Sequence, residues 1–203
     1  MEVRQNSDGE YLGCVIDVMG KGVSAAILAG IFRSQFIAYS LRTRAPLGGF
    51  LERCNRALEI QLGDATMFIT AYVFRLDPKT NEFAYSAAGH PPALLFRKDG
   101  SESQLQSEGP PIGLFEDATY KESSITLDPG DRIVLVTDGL YEWTDGKTIF
   151  GWDEMLDWFR EHRGETADVI WDKMNEKMIA ARREINIEQE DDETLLILTR
   201  DQA

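Results

Sequence analysis

The sequence predicts an α+β fold, a layered α-β-β-α sandwich of two mainly antiparallel sheets flanked by helices. Three observations predict it. Segments rich in β-forming residues come in one run, Met67–Leu76, Glu82–Ala87, Ala93–Arg97, Tyr120–Leu127 and Arg132–Thr137, rather than alternating with helices. Runs of this kind favour antiparallel pairing. Two helical segments precede that run and two follow it, so helices are available for both outer faces. Further strands, Glu10–Ile16 and Leu195–Thr199, stand near the two ends of the chain. With 203 residues and no internal repeat, low-complexity tract or long linker, the chain reads as a single domain over residues 1–203.

Each element has its own local reason. Glu10–Ile16 is short and apolar and follows the turn Asn6-Ser7-Asp8-Gly9. Asp17–Gly22 is a tight loop holding Gly20 and Gly22. From Val23 to Leu41, the residues Ala25, Leu28, Ala29, Phe32, Phe36 and Tyr39 recur at three- and four-residue spacing, which is the period of an amphipathic helix. Pro46-Leu47-Gly48-Gly49 separates it from a second helix, Phe50–Leu62, which Gly63-Asp64 closes. Asp77-Pro78-Lys79-Thr80-Asn81 is a hairpin turn, and Gly109-Pro110-Pro111-Ile112-Gly113 a rigid loop. Asp153–Arg163 and Ala167–Arg183 are the last two helices.

Composition narrows the function classes. The formal net charge is −14 and the pI about 4.6, which argues against nucleic acid, a partner that needs a basic footprint. No apolar run reaches the ~18 residues of a membrane span, and the polar start Met1-Glu2-Val3-Arg4-Gln5 does not resemble a signal peptide. A cytoplasmic protein is expected. The two cysteines, Cys14 and Cys54, fit no zinc spacing and read as buried reduced thiols.

Three aspartates stand where apolar strands meet loops: Asp17 after Leu12–Ile16, Asp138 after Ile133–Thr137, and Asp191, followed by Asp192, before Leu195–Thr199. Locally, each has an ordinary alternative. Asp17 could cap the next helix, Asp138-Gly139 could be a plain turn, and Asp191-Asp192 could end the solvated acidic run Glu188–Glu193. Jointly they suggest a hard-cation site. Carboxylate oxygens suit Mg2+ or Mn2+, whereas zinc prefers nitrogen and sulfur. Ions so held can neutralise a phosphoryl group during in-line attack, with no Cys or His nucleophile. Lys21 lies between glycines, yet the G-x-x-x-x-G-K-[ST] phosphate loop is absent.

Six motifs carry a resemblance. Ile16-Asp17-Val18-Met19-Gly20-Lys21-Gly22-Val23-Ser24-Ala25-Ala26 resembles the D-V-x-G-K-G-x-x-A-A stretch of the bacterial metal-dependent (PPM, type 2C-like) serine/threonine phosphatases, in the SpoIIE/RsbU branch. Met67–Ala71, Ala88-Gly89-His90-Pro91-Pro92, Gly109–Gly113, Asp131–Gly139 and Asp191-Asp192-Glu193-Thr194 resemble further motifs of the family, in the family's order. The resemblance implies that Asp17 bridges two Mn2+ or Mg2+ ions. It also implies that the backbone carbonyl of Val18 binds one ion and that Asp138 and Asp191 hold the other. Asp192 and Gly139 would support these ligands from behind, and Gly20, Lys21 and Gly22 would shape the loop without ligating. His90 would be structural, and His162 a surface residue.

The implied activity is removal of phosphate from serine or threonine of a signalling protein, an anti-sigma-factor antagonist, by metal-activated water. The helix Val23–Leu41 directly follows the metal loop, so it is expected to be a switch contacted by a sensor domain or partner protein. One departure matters. The family's G-G-D-x-x-D motif, expected upstream of Asp17, is not found, and neither Glu2 nor Asp8 stands in such a motif. The expectation is therefore a domain without its first strand and first metal ligand, with an uncovered sheet edge that favours a homodimer. The alternative is a degenerate phosphatase domain serving as a binding or scaffold module.

Overall fold

The computed structural model describes residues 1–42, 45–62, 67–144, 149–185 and 192–201. The expected helix stop Gly63-Asp64 and the candidate ligand Asp191 lie outside the described residues. The first sheet holds β1 (Glu2–Gln5), β2 (Tyr11–Val18), β3 (Ile69–Asp77), β4 (Glu82–Ala88) and β7 (Ser123–Thr126), in that spatial order. The second is ordered β11 (Leu195–Thr199), β8 (Arg132–Val136), β5 (Ala93–Phe96) and β6 (Glu102–Leu105). A short ribbon pairs β9 (Trp143–Thr144) with β10 (Ile149–Phe150). Every pairing of named strands is antiparallel. The helices are α1 (Val23–Ser40), α2 (Leu47–Leu62), α3 (Trp152–His162) and α4 (Ala167–Ile185).

Strand alternation builds three apolar layers. Side chains of successive strand residues point to opposite faces. Cys14, Ala71 and Val73 therefore face α1 and α2, where Leu28, Phe32, Phe36, Leu51 and Leu58 cover them. Their neighbours Val15, Tyr72 and Phe74 point the other way and meet Leu95, Ile133 and Leu135 between the sheets. Val134 and Val136 face Met155, Phe159, Ile170 and Met174 of α3 and α4. The α-β-β-α sandwich thus follows from the period-two strands and from helices whose apolar residues recur every three or four positions. Full burial of each large side chain stabilises it by ~1.5–3 kcal/mol.

The polar strands carry no signal in the sequence, and some boundaries differ from the expected ones. β1 and β6 are edge strands with exposed polar positions, so they carry no apolar alternation. β1 pairs with β2 and covers that side of it. β9 and β10 show a related limit: a two-residue strand is too short to announce itself. α2 starts at Leu47 rather than Phe50, with Phe50 N–H bonded to the Pro46 carbonyl at 3.1 Å. Gly48 in its first turn is required, because a Cβ there would stand 2.1 Å from the Tyr120 carbonyl oxygen. Only Ser123–Thr126 of the expected strand Tyr120–Leu127 pairs. Among the described residues, α1 alone has the length and apolar composition to cross a bilayer, with mean hydropathy 1.2. Its Leu28, Phe32, Phe36 and Tyr39 are buried in the core of this fold.

Candidate active site

The site forms where the two sheets end together. β2 continues through Asp17, which pairs with Thr70, to Val18, which pairs with Ile69. The expected loop position of Asp17 is thereby corrected: it is held within the last ladder rungs. Met19 N–H extends the ladder with a 3.0 Å bond to the Phe68 carbonyl. The chain then turns through Gly20 (φ 93°) and Gly22 (φ 84°). Both conformations lie in the left-handed region that glycine tolerates. A Cβ on either would meet nothing within 4 Å, so the loop is open. Lys21, between them, is exposed. α1 starts directly after Gly22, its N-cap.

The second sheet brings Asp138 and Asp192 to this end. β8 and β11 pair Val136 with Leu195, so Thr137 falls opposite Thr194. Asp138 opens a single 3-10 turn, Asp138–Leu140, and its carbonyl accepts the N–H groups of Tyr141 (2.8 Å) and Glu142 (2.7 Å). Gly139 is buried in that turn, and Asp138 is half-buried. Asp192 is exposed, and the next residue, Glu193, forms an ion pair with Arg182 of α4. A cleft of about 950 Å3 is lined by Asp17, Val18, Gly20, Lys21, Asp192 and Thr194, so both sheets contribute to one space.

Tyr141, unnoticed in the sequence, reports on the carboxylates. Burial, and then the charges of Asp138, Glu142 and Asp17, raise its hydroxyl above the ordinary phenol range. Asp17 and Asp138 thus act on one group although they come from different sheets. The expected donors among the described residues, the Asp17 and Asp138 carboxylates and the Val18 carbonyl, are all oxygens, a chemistry that fits Mg2+ or Mn2+. Among the described residues, no three His, Cys, Asp or Glu side chains gather as a metal-holding group.

Neither histidine lines the cleft that holds Asp17 and Asp192. His90 is buried, its Nδ1 is 2.9 Å from the Pro91 carbonyl oxygen, and burial lowers its pKa to about 4. Its loop packs on Gly109–Gly113: Gly89 N–H bonds the Gly109 carbonyl at 2.9 Å, and a Cβ on Gly89 would meet Pro111 at 2.5 Å. His162, expected on the surface, is instead half-buried and stacked on Trp158 at 4.2 Å, with Nδ1 2.8 Å from the Trp158 carbonyl oxygen.

Two face-to-face antiparallel sheets, helices on both outer sides and aspartates at the shared strand ends define the type 2C phosphatase fold. Residues 7–201 match the family model for stage II sporulation protein E (SpoIIE), and the chain belongs to that family. It is 28% identical over 191 residues to the phosphoserine phosphatase RsbU of Bacillus subtilis, covering 92% of this chain and 54% of RsbU. It is 30% identical over 148 residues to the phosphoserine phosphatase RsbP of the same organism, covering 72% of this chain and 37% of RsbP. The chain therefore spans about half or less of these curated relatives. The solved SiaA-PP2C domain of Pseudomonas aeruginosa shares the fold, with TM-score 0.78 and 21% identity over 98% of this chain and 79% of that one.

Proposed function

We propose that this chain is a metal-dependent phosphatase acting on phosphoserine or phosphothreonine of a signalling protein. The observation that carries this reading is the cleft shared by Asp17 and Val18 of the first sheet and by Asp192 and Thr194, which lead into β11 of the second. The names of RsbU and RsbP, both phosphoserine phosphatases, support the substrate class. An anti-sigma-factor antagonist is the substrate protein that the resemblance implies.

A cation would suit the electrostatics of substrate binding here. A phosphoryl group carries negative charge, and two half-buried carboxylates repel it. Asp17, the Val18 carbonyl, Asp138 and Asp191 would hold Mn2+ or Mg2+. When bound, such ions supply charge neutralisation and an activated water. The chain's own residues do the rest. The β2–β3 ladder fixes Asp17, the turn after β8 fixes Asp138, and Gly20 and Gly22 leave room for substrate to approach. Lys21 sits on the cleft wall as a positive group facing an incoming anion.

α1 follows the metal loop directly, and Val23 (77% exposed) and Ile27 (57%) leave part of its outer face apolar. That face is where a sensor domain or partner would press on the loop, and the β1 edge is where a homodimer would pair. The test is Mn2+-dependent hydrolysis of a phosphoserine peptide. Asp138→Asn is expected to lower the rate about 100-fold or more. An unchanged rate in that variant would refute the metal reading, and a protein that neither binds Mn2+ nor turns over would be a binding or scaffold module.

A further inference from the structure

We infer that Thr137 is a positioning residue of the site: its hydroxyl replaces a main-chain acceptor at the last rung between β8 and β11, and so releases the chain into the turn that carries Asp138. The inference rests on the reading of Asp138 as a metal ligand.

In an antiparallel ladder, a hydrogen-bonded pair exchanges two N–H···O=C bonds. Thr137 and Thr194 are in register, one residue beyond the pair Val136 and Leu195. The first bond of the rung is ordinary: Thr137 N–H donates to the Thr194 carbonyl at 3.2 Å. The reciprocal bond is not. Thr194 N–H donates to the Thr137 hydroxyl oxygen at 2.9 Å, and that hydroxyl donates onward to the Asp192 carbonyl, also at 2.9 Å.

The substitution of hydroxyl for carbonyl leaves the Thr137 carbonyl available, and it accepts Leu140 N–H at 3.1 Å. That bond closes the 3-10 turn Asp138–Leu140. One buried hydroxyl, on a residue 2% exposed, therefore does two things. It holds the 192–194 segment to the end of β8, and it lets the backbone leave the ladder one residue before Asp138. Valine has the same branched shape but no hydroxyl. In a Thr137→Val chain, the Thr194 amide must either lose its partner or recapture the main-chain carbonyl opposite it, which would compete with the turn. Serine keeps the hydroxyl.

The experiment measures Mn2+ binding by calorimetry for the wild-type chain, Thr137→Val, Thr137→Ser and Asp138→Asn. Thr137→Val is expected to weaken Mn2+ binding roughly 10- to 100-fold, the range found for groups that orient metal ligands. Thr137→Ser should restore binding to near the wild-type value. If Asp138→Asn weakens binding while a folded Thr137→Val binds as the wild type does, the inference is overturned and the metal reading stands. If Asp138→Asn itself binds normally, the metal reading fails and takes the inference with it. Should Thr137→Val not fold, amide exchange in the wild-type protein decides: slow exchange at both Thr194 and Leu140 supports the arrangement, and a fast-exchanging Thr194 amide beside a protected Leu195–Thr199 strand refutes it.

Discussion

The charge of Asp17, at the end of β2, acts on the hydroxyl of Tyr141, three residues past Asp138 and just beyond the turn that follows β8 of the other sheet. The sandwich is closed by apolar layers, and at this end Asp17 of one sheet and Asp192, just before β11 of the other, line one cleft. A ligand that satisfies both should therefore stabilise the whole fold.

Mn2+ is expected to raise the melting temperature of the wild-type protein. At about 100 times the dissociation constant, the gain is ~2.7 kcal/mol, roughly 5–10 °C for a domain of this size. Asp138→Asn should show a third of that shift or less. Differential scanning fluorimetry with and without Mn2+ checks this, and equal shifts in the two proteins would count against Asp138 as a ligand.

His90 makes the fold acid-sensitive. Its pKa is about 4 in the folded chain, against ~6.5 when unfolded. The unfolded chain therefore binds more protons between these values, and the stability conferred by neutral His90 is present above pH ~6.5 and lost as pH falls toward 4. The full linkage amounts to about 3 kcal/mol. Urea unfolding of wild type and His90→Gln at pH 7 and pH 4.5 measures it: the wild type should lose markedly more stability over that interval than the variant.

Gly13 is expected to tolerate no side chain. It pairs with Phe74, and an added Cβ would stand 2.0 Å from the ring of that fully buried residue. Gly13→Ala should cost about 1–3 kcal/mol through overpacking, read as a fall in melting temperature. Adding Phe74→Leu should recover part of the loss, and two independent, additive losses would show that ring and glycine do not meet.

Cys14 and Cys54 are expected to be inert in the native protein. Burial pushes both thiols up to about 12, and the thiolate is the reactive form. Ellman titration should find neither group reacting promptly at pH 8 and both reacting in guanidinium. Fast labelling of either without denaturant would contradict their burial.

Much of this was legible in the sequence, for physical reasons. Val134 and Val136 against Ile133 and Leu135 show the period-two alternation that a two-layer core imposes. Phe32, Phe36 and Tyr39 show the helical period that covers it. β1 and β6 were not legible, because an edge strand needs few apolar residues. Nor was the start of α2, where Gly48 reads as a breaker but is required by the approach of Tyr120. At the site, Asp17 and Asp138 stood out because a charged residue ending an apolar run is conspicuous. Thr137, Tyr141 and the Arg182–Glu193 pair did not, since their roles depend on strand register and on which helix lies beside them.

The most direct measurement is phosphate release from a phosphoserine peptide as Mn2+ is titrated into the wild-type chain and into Asp17→Asn. The wild-type rate is expected to rise from baseline and saturate with Mn2+, while Asp17→Asn, folded by circular dichroism, stays about 100-fold or more below it. A wild-type rate indifferent to Mn2+, or an Asp17→Asn protein as fast as the wild type, would contradict the metal-dependent phosphatase.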